Sequence, residues 1–175
     1  MIVQVGLILV AGVLLVSGWH KVRHPSYYQP VMSDYLLVVK SVPLILPGLL
    51  GVFELVVALS LFVPPLSAYG ALAACMLFIL YAGLISIQLI KGNREMDCGC
   101  TGPAAAKTKI SPWLLLRSSV LIVFALMGAM MPLAESYPTG WLLSVLCGGF
   151  LLVIYYVAEQ LLANAQSIAL GEEGL

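Results

Sequence analysis

The chain is short of charge. Of its 175 residues only 9% are Asp, Glu, Lys or Arg, while 62% are hydrophobic; soluble domains carry about 25% charged residues. That scarcity excludes a water-soluble globule, because there is too little polar surface to cover one, and most faces must meet lipid. There is also no charge bias. Eight basic and eight acidic residues cancel, which removes the electrostatic footprint of a nucleic-acid binder. Internal repeats and low-complexity tracts are absent, and the length suits a single domain. No basic n-region precedes the apolar run at 2–18 and no A-x-A site follows it, so this run reads as a retained first span and not a cleaved signal.

What is present is hydrocarbon in long runs. Stretches near 2–20, 43–63, 66–90, 112–132 and 140–163 are each apolar over the ~20 residues that a helix needs to cross a bilayer core. Lipid offers no partner for backbone N–H and C=O groups, so each must be helical. The expectation is an all-α, polytopic membrane helical bundle of about five transmembrane helices. It forms one integral membrane domain over 1–164, with a polar tail at 165–175. Pro43, Pro64, Pro65, Pro112, Pro132 and Pro138 punctuate the ends of the runs, where a missing N–H costs little. Pro47 falls in the first turns of the second run and is a candidate kink.

Short connections at 64–65 and 133–139 predict two antiparallel hairpins, and longer loops occupy 21–42 and 91–111. An odd number of spans puts both long loops and the C-terminal tail on one side. All the basic residues fall there: Lys21, Arg23 and Lys40 in the first loop, Lys91, Arg94, Lys107 and Lys109 in the second, and Arg117 just inside the fourth run. The positive-inside rule assigns that side to the cytoplasm. Trp19 and Trp113 would anchor the same face and Trp141 the other.

Cysteine chemistry is confined to one place. Cys75 and Cys147 lie in apolar runs, where a thiol serves as a small buried hydrophobe. Cys98 and Cys100 lie in the polar stretch MDCGCTGP. A disulfide needs Cα atoms about 4.4–6.8 Å apart, which Gly99 permits by allowing a tight turn. A bond closing so small a ring is strained and hence exchangeable. Lys91, Arg94, Lys107 and Lys109 favour the thiolate, while Glu95 and Asp97 oppose it. Three readings stay open: a redox pair, half of a metal site, or two unpaired thiols on a turn. His20 and His24, at i and i+4 on the same membrane side, could complete a tetrahedral zinc or copper site. Pro25 opposes helical geometry at His24, and two interfacial imidazoles are the simpler reading.

Glu54 stands near the middle of the second run. A carboxylate there costs roughly 2.5–3.5 kcal/mol or more, so it should face the bundle and either be protonated or hold a partner. Ser60, Ser86, Gln88 and Arg117 are candidate partners, although a shallow Arg117 is expected to snorkel to the interface. Glu54 is a candidate proton relay, ligand anchor or interhelical hydrogen bond. Met127, Met130 and Met131 read as gap-filling residues before they read as a ligand site, and Tyr155 and Tyr156 as interfacial anchors.

Taken in order, SGWHKVRHP, LPGLLGVFELVVALSLF, DCGCTGP and SPWLLLRSSVLIVFAL resemble the methylamine-utilisation MauE family, within the broader DoxX-like group of small membrane proteins. The resemblance covers roughly residues 5–130; Thr101 stands where family members often carry an aromatic after C-G-C. It implies a four-helix DoxX-like core plus one helix in a bacterial inner membrane. It further implies a role in maturing the small (β) subunit of methylamine dehydrogenase, a periplasmic quinoprotein rich in disulfides. A thioredoxin-like partner would assist, Cys98 and Cys100 would be the exchanging pair, and a quinone would be a candidate electron acceptor. Many membrane thiol oxidoreductases carry two cysteine pairs and this chain has one, so an accessory maturation factor and an oxidoreductase both fit. A periplasmic substrate needs the C-G-C loop outside, against the distribution of basic residues. A metal-binding or metal-transport protein and a non-catalytic membrane scaffold subunit are the alternatives.

Overall fold

A computed structural model describes residues 2–35, 43–91, 112–131 and 138–172. The described residues form six α-helices and no strand: α1 (Ile2–Arg23), α2 (Pro25–Tyr35), α3 (Ile45–Ser60), α4 (Pro64–Ile90), α5 (Pro112–Met130) and α6 (Pro138–Glu172). Five correspond to the apolar runs. Three segments, Ile2–Arg23, Pro64–Ile90 and Gly140–Leu162, are long and apolar enough to cross a membrane; Ile45–Ser60 and Leu114–Met130 are apolar but shorter. At 1.5 Å per residue the 16 residues of α3 reach only about 24 Å, less than a hydrocarbon core of about 30 Å.

Proline sets the helix starts. Pro64, Pro112 and Pro138 each open a helix, at a position where the N–H would be unpaired in any case. Pro47 is the third residue of α3, inside the first turn, so it begins the helix and does not kink it. The segment after α1 is not wholly loop: α1 runs on to Arg23, and Pro25 starts the short α2. The α3–α4 connection is the expected tight hairpin, closed by Phe62 N–H to Leu59 O (3.1 Å) and Val63 N–H to Ser60 O (3.3 Å).

Four helices close a ring, with α1 against α3, α3 against α4, α4 against α5 and α5 against α1; α6 packs on the outside of α1. The core lies along α1 and α4, centred on Val10, Leu14, Ala71 and Ala74. Helix α1 meets three large neighbours because its glycines point three ways. Six residues advance a helix by about 600°, so Gly6, Gly12 and Gly18 face directions about 120° apart. Gly6 lies under Phe124 of α5, Gly12 under Leu152 of α6, and Gly18 against the backbone of α3. Without a hydrophobic drive between helices in lipid, such close approach is what packs them.

The Gly18 contact is the tightest of backbone on backbone. A Cβ on Gly18 would stand 2.7 Å from Gly51 O, and one on Gly51 would stand 2.8 Å from Gly18 O and 2.9 Å from Lys21 Cβ. Neither carbonyl can yield without parting the helices. We expect Gly18→Leu and Gly51→Leu each to lower stability by about 1–3 kcal/mol, read as thermal unfolding in detergent. Gly48→Ala, which opens on empty space, should leave stability unchanged or raise it.

Candidate functional site

Glu54 faces the bundle, as its cost in lipid requires, and is fully buried. Its partners are Lys21 and Tyr81. The Lys21 ammonium and the Tyr81 hydroxyl both donate to Glu54 Oε1. Lys21 also donates to Ser17 Oγ at 3.0 Å and to the Tyr81 hydroxyl at 3.0 Å, and its Nζ lies 4.8 Å from the Tyr81 ring centroid. One cluster thus joins α1, α3 and α4. Sequence reading missed both partners, Lys21 because it was placed in a loop and Tyr81 because it lies within the apolar run at 66–90. Because α1 stays helical to Arg23, Lys21 turns inward, and its stem crosses Gly51, where no side chain stands in the way. The suggested partners bond locally instead: Ser60 Oγ to Val57 O and Ser86 Oγ to Ala82 O, each at 2.7 Å. Gln88 is buried elsewhere on α4. Glu54 Oε2 is buried with no hydrogen-bond partner among the described residues, which leaves one oxygen of this carboxylate available to a proton or a ligand.

A second cluster lies between α5 and α6. Arg117 does not snorkel; it forms an ion pair with Glu159, their side chains only 14% and 10% exposed. The guanidinium also lies 5.4 Å from the Tyr155 ring centroid, and Tyr155 and Tyr156 meet edge to face. These tyrosines are therefore part of a polar cluster and not simple interfacial anchors. A cleft joins the two groups, with Ser17 and Tyr81 from the first and Arg117, Tyr155 and Glu159 from the second on its walls.

Cys98 and Cys100 lie outside the described residues. The sequence that carries them connects Ile90 of α4 to Pro112 of α5, at the end of the bundle where both clusters sit. By helix rise, Tyr81 is about 13 Å and Arg117 about 8 Å in from those two termini. His20 and His24 are one turn apart, since the His24 N–H donates to His20 O at 2.9 Å as in a continuing helix. His20 Nδ1 is buried without a hydrogen-bond partner among the described residues. No group of three or more His, Cys, Asp or Glu able to hold a metal occurs among the described residues. Cys75 is buried as expected, but Cys147 is exposed on the outer face of α6, because that helix presents only one side to the bundle. Met130 and Met131 are also exposed, while Trp19 and Trp141 point outward as anchors should.

The family model described as "Methylamine utilisation protein MauE" matches residues 1–131, which takes in α1 to α5, Glu54 and the C-G-C connection. The chain belongs to the MauE family. Among individual relatives, a methylamine utilization protein MauE of Paracoccus denitrificans is 29% identical over 119 residues, 68% of this chain and 63% of that protein. The matched region thus spans less than two thirds of the Paracoccus protein. A second MauE, from Methylophilus methylotrophus, is 28% identical over 158 residues, 90% of this chain and 83% of that one. No solved structure matches the chain.

Within this MauE chain the buried Lys21–Glu54 pair carries a clear energetic signature. Losing one partner strands a buried charge, at about 3–5 kcal/mol, whereas replacing both by apolar groups is often neutral or stabilising. We expect Lys21→Met alone and Glu54→Leu alone each to lower the thermal midpoint in detergent. The double variant should recover most of that loss. Equal additive losses would mean that the two side chains do not interact.

Proposed function

We propose that this protein acts in methylamine utilisation as a multi-pass component of the bacterial inner membrane. We assign it five spans, and a role in disulfide formation or transfer during maturation of the methylamine dehydrogenase β subunit or a related periplasmic quinoprotein. The observation that carries this reading is the family match over residues 1–131, which includes the C-G-C pair. Cys98 and Cys100 are the exchanging residues. A substrate thiolate attacks one sulfur of their disulfide, giving a mixed disulfide and one free thiolate. A second substrate thiolate then resolves it, so the substrate is oxidised and the pair is left reduced. A thioredoxin-like periplasmic protein is the expected direct partner. Glu54, with one oxygen that has no hydrogen-bond partner among the described residues, is the proposed proton relay or ligand anchor.

Exchange with a periplasmic substrate places the C-G-C connection outside. Two of the eight cations that argue for the cytoplasm, Lys21 and Arg117, are paired with carboxylates inside the bundle, so they do not act as free loop charges.

A second reading is favoured by one observation: the Nδ1 of His20, buried with no hydrogen-bond partner among the described residues and one helical turn from His24. With Cys98 and Cys100 these would make a four-ligand zinc or copper site. Two measurements decide between the readings. Cys98→Ser and Cys100→Ser, tested separately in cells, should leave one variant covalently trapped to a protein partner. If neither traps, exchange is excluded. If purified protein then holds one equivalent of metal that His20→Ala releases, the metal site takes its place. A membrane-impermeant thiol reagent applied to intact cells after mild reduction should label the pair; labelling only after lysis would reverse the orientation.

A further inference from the structure

A carboxylate that relays a proton needs a route by which the proton reaches it. Glu54 is fully buried, whereas the Glu159 side chain keeps 10% of its surface exposed. The cleft that joins their two clusters has a volume of about 30 Å³, room for roughly one or two water molecules. Two residues belong both to the Glu54 cluster and to the wall of this cleft. Tyr81 donates to Glu54 Oε1, and Ser17 Oγ accepts from Lys21 at 3.0 Å. Arg117, Ser118 and Glu159 stand on the same wall. We propose that the cleft is a water site, and that its water joins Glu54 to Glu159 as one path for a proton across the bundle. The path presupposes the reading of Glu54 as a proton relay; the cysteine chemistry plays no part in it.

A buried water needs roughly two to four polar partners, and the wall supplies them without breaking a bond already made. Ser60, Ser86, Ser118 and Ser144 each spend the hydroxyl hydrogen on a backbone carbonyl of the preceding turn. Ser17 does not. Its oxygen accepts from Lys21, and its hydrogen goes to no acceptor among the described residues, so it is available to a water in the cleft. Glu159 gives one oxygen to Arg117, and a carboxylate has about four acceptor sites. The transfer conserves every atom. A proton held on Glu159 passes to the water, and the water passes one of its own to the Tyr81 oxygen. The Tyr81 hydroxyl passes its hydrogen to Glu54 along the bond it already makes. At the end Glu159 is a carboxylate and Glu54 the acid, and water and tyrosine are as they began. The charged or titratable groups facing Glu54 are Lys21 of α1 and Tyr81 of α4; those sharing the cleft with Glu159 include Arg117 of α5 and Tyr155 and Tyr156 of α6. Lys21 and Arg117 keep their charges throughout. Beyond Glu159 an outer groove of about 250 Å³ between α5 and α6 is walled by Leu9, Leu116, Val120 and Ala158. Those walls offer a proton no carrier, so the path ends at this carboxylate.

The test uses the full chain in lipid nanodiscs and infrared spectra taken across pH. The carboxylic-acid band that Glu54→Gln removes belongs to Glu54. After transfer to heavy water, the rate at which that band shifts reports proton exchange at this residue. Ser118→Val adds one methyl group to the wall of a water-sized space and should slow the exchange about ten-fold or more. Ser118→Ala removes the same hydroxyl, leaves the space open and should exchange at the rate of the unaltered chain. Glu159→Gln cannot release a proton as an acid and should slow exchange as Ser118→Val does, with unfolding midpoints confirming that the variants fold. If Ser118→Val and Glu159→Gln both exchange as fast as the unaltered chain, the path is overturned while the relay reading stands. If Ser118→Ala slows exchange as much as Ser118→Val, the lost hydroxyl and not the filled space is responsible, which overturns the water site. Absence of a Glu54 band at every pH at which the chain stays folded overturns the relay reading, and the path with it.

Discussion

A lysine and a glutamate cannot both be taken out of water inside an apolar bundle unless they meet, and meeting requires two helix backbones to come nearly into contact. The Lys21–Glu54 pair and the Gly18–Gly51 crossing are therefore one constraint. The glycines remove the side chains that would hold α1 and α3 apart, and Gly51 leaves the path along which the Lys21 stem descends. The charges in turn fix the register, because a shift of either helix by one residue would swing a carboxylate or an ammonium towards lipid. Tyr81 extends the same register to α4. Three of the four ring helices are thus set relative to one another by a single buried polar cluster.

The helices themselves were legible from hydropathy and proline. Runs of hydrocarbon can only be helices in lipid, and Pro64, Pro112 and Pro138 mark starts for the same reason that proline is excluded from helix interiors. Their true lengths were less legible: the second run looks long enough to span, but Pro43 and Leu44 precede α3 and the hairpin begins after Ser60. The burial of Glu54 was readable from cost alone. Its partner was not, because Lys21 sits among His20, Arg23 and His24 in what reads as a charged loop, and only continuation of α1 through that stretch turns it inward. The even spacing of Gly6, Gly12 and Gly18 is a signal that could have found it. Six-residue steps around a helix announce three close neighbours, and the last glycine lies three residues before the lysine.

Arg117 shows the same limit from the other side. Position in a run suggested snorkelling, which is correct for a lone cation near an interface. The deciding fact is a carboxylate in a helix that starts more than twenty residues later in the chain, and no local pattern reveals which face of α6 meets α5. Tyr155 and Tyr156 were misread for the same reason. Near the end of an apolar run, an anchor and a cleft wall have the same composition and differ only in what stands opposite.

Helix α6 gives the cleft its asymmetry. The family-model match ends at residue 131, before α6 begins, so the four-helix ring with the Lys21–Glu54–Tyr81 cluster lies within the matched portion. That helix is held at two heights. Ser144 Oγ contacts Gln4 Oε1 of α1 at 3.1 Å near one end, and Glu159 pairs with Arg117 of α5 towards the other. Between these ties most of its surface is apolar and exposed. Without α6 the Arg117 guanidinium would lose the Glu159 carboxylate and would have to reach for the interface. With it, the arginine stays at the depth of Ser17 and Tyr81, and a polar cleft exists where the ring alone would present a charged side chain to hydrocarbon. The Methylophilus relative matches over 90% of this chain, which includes residues beyond 131. The arrangement thus assigns the ring its internal charge balance and assigns α6 the second balance, from which a lipid-facing groove with a polar end follows.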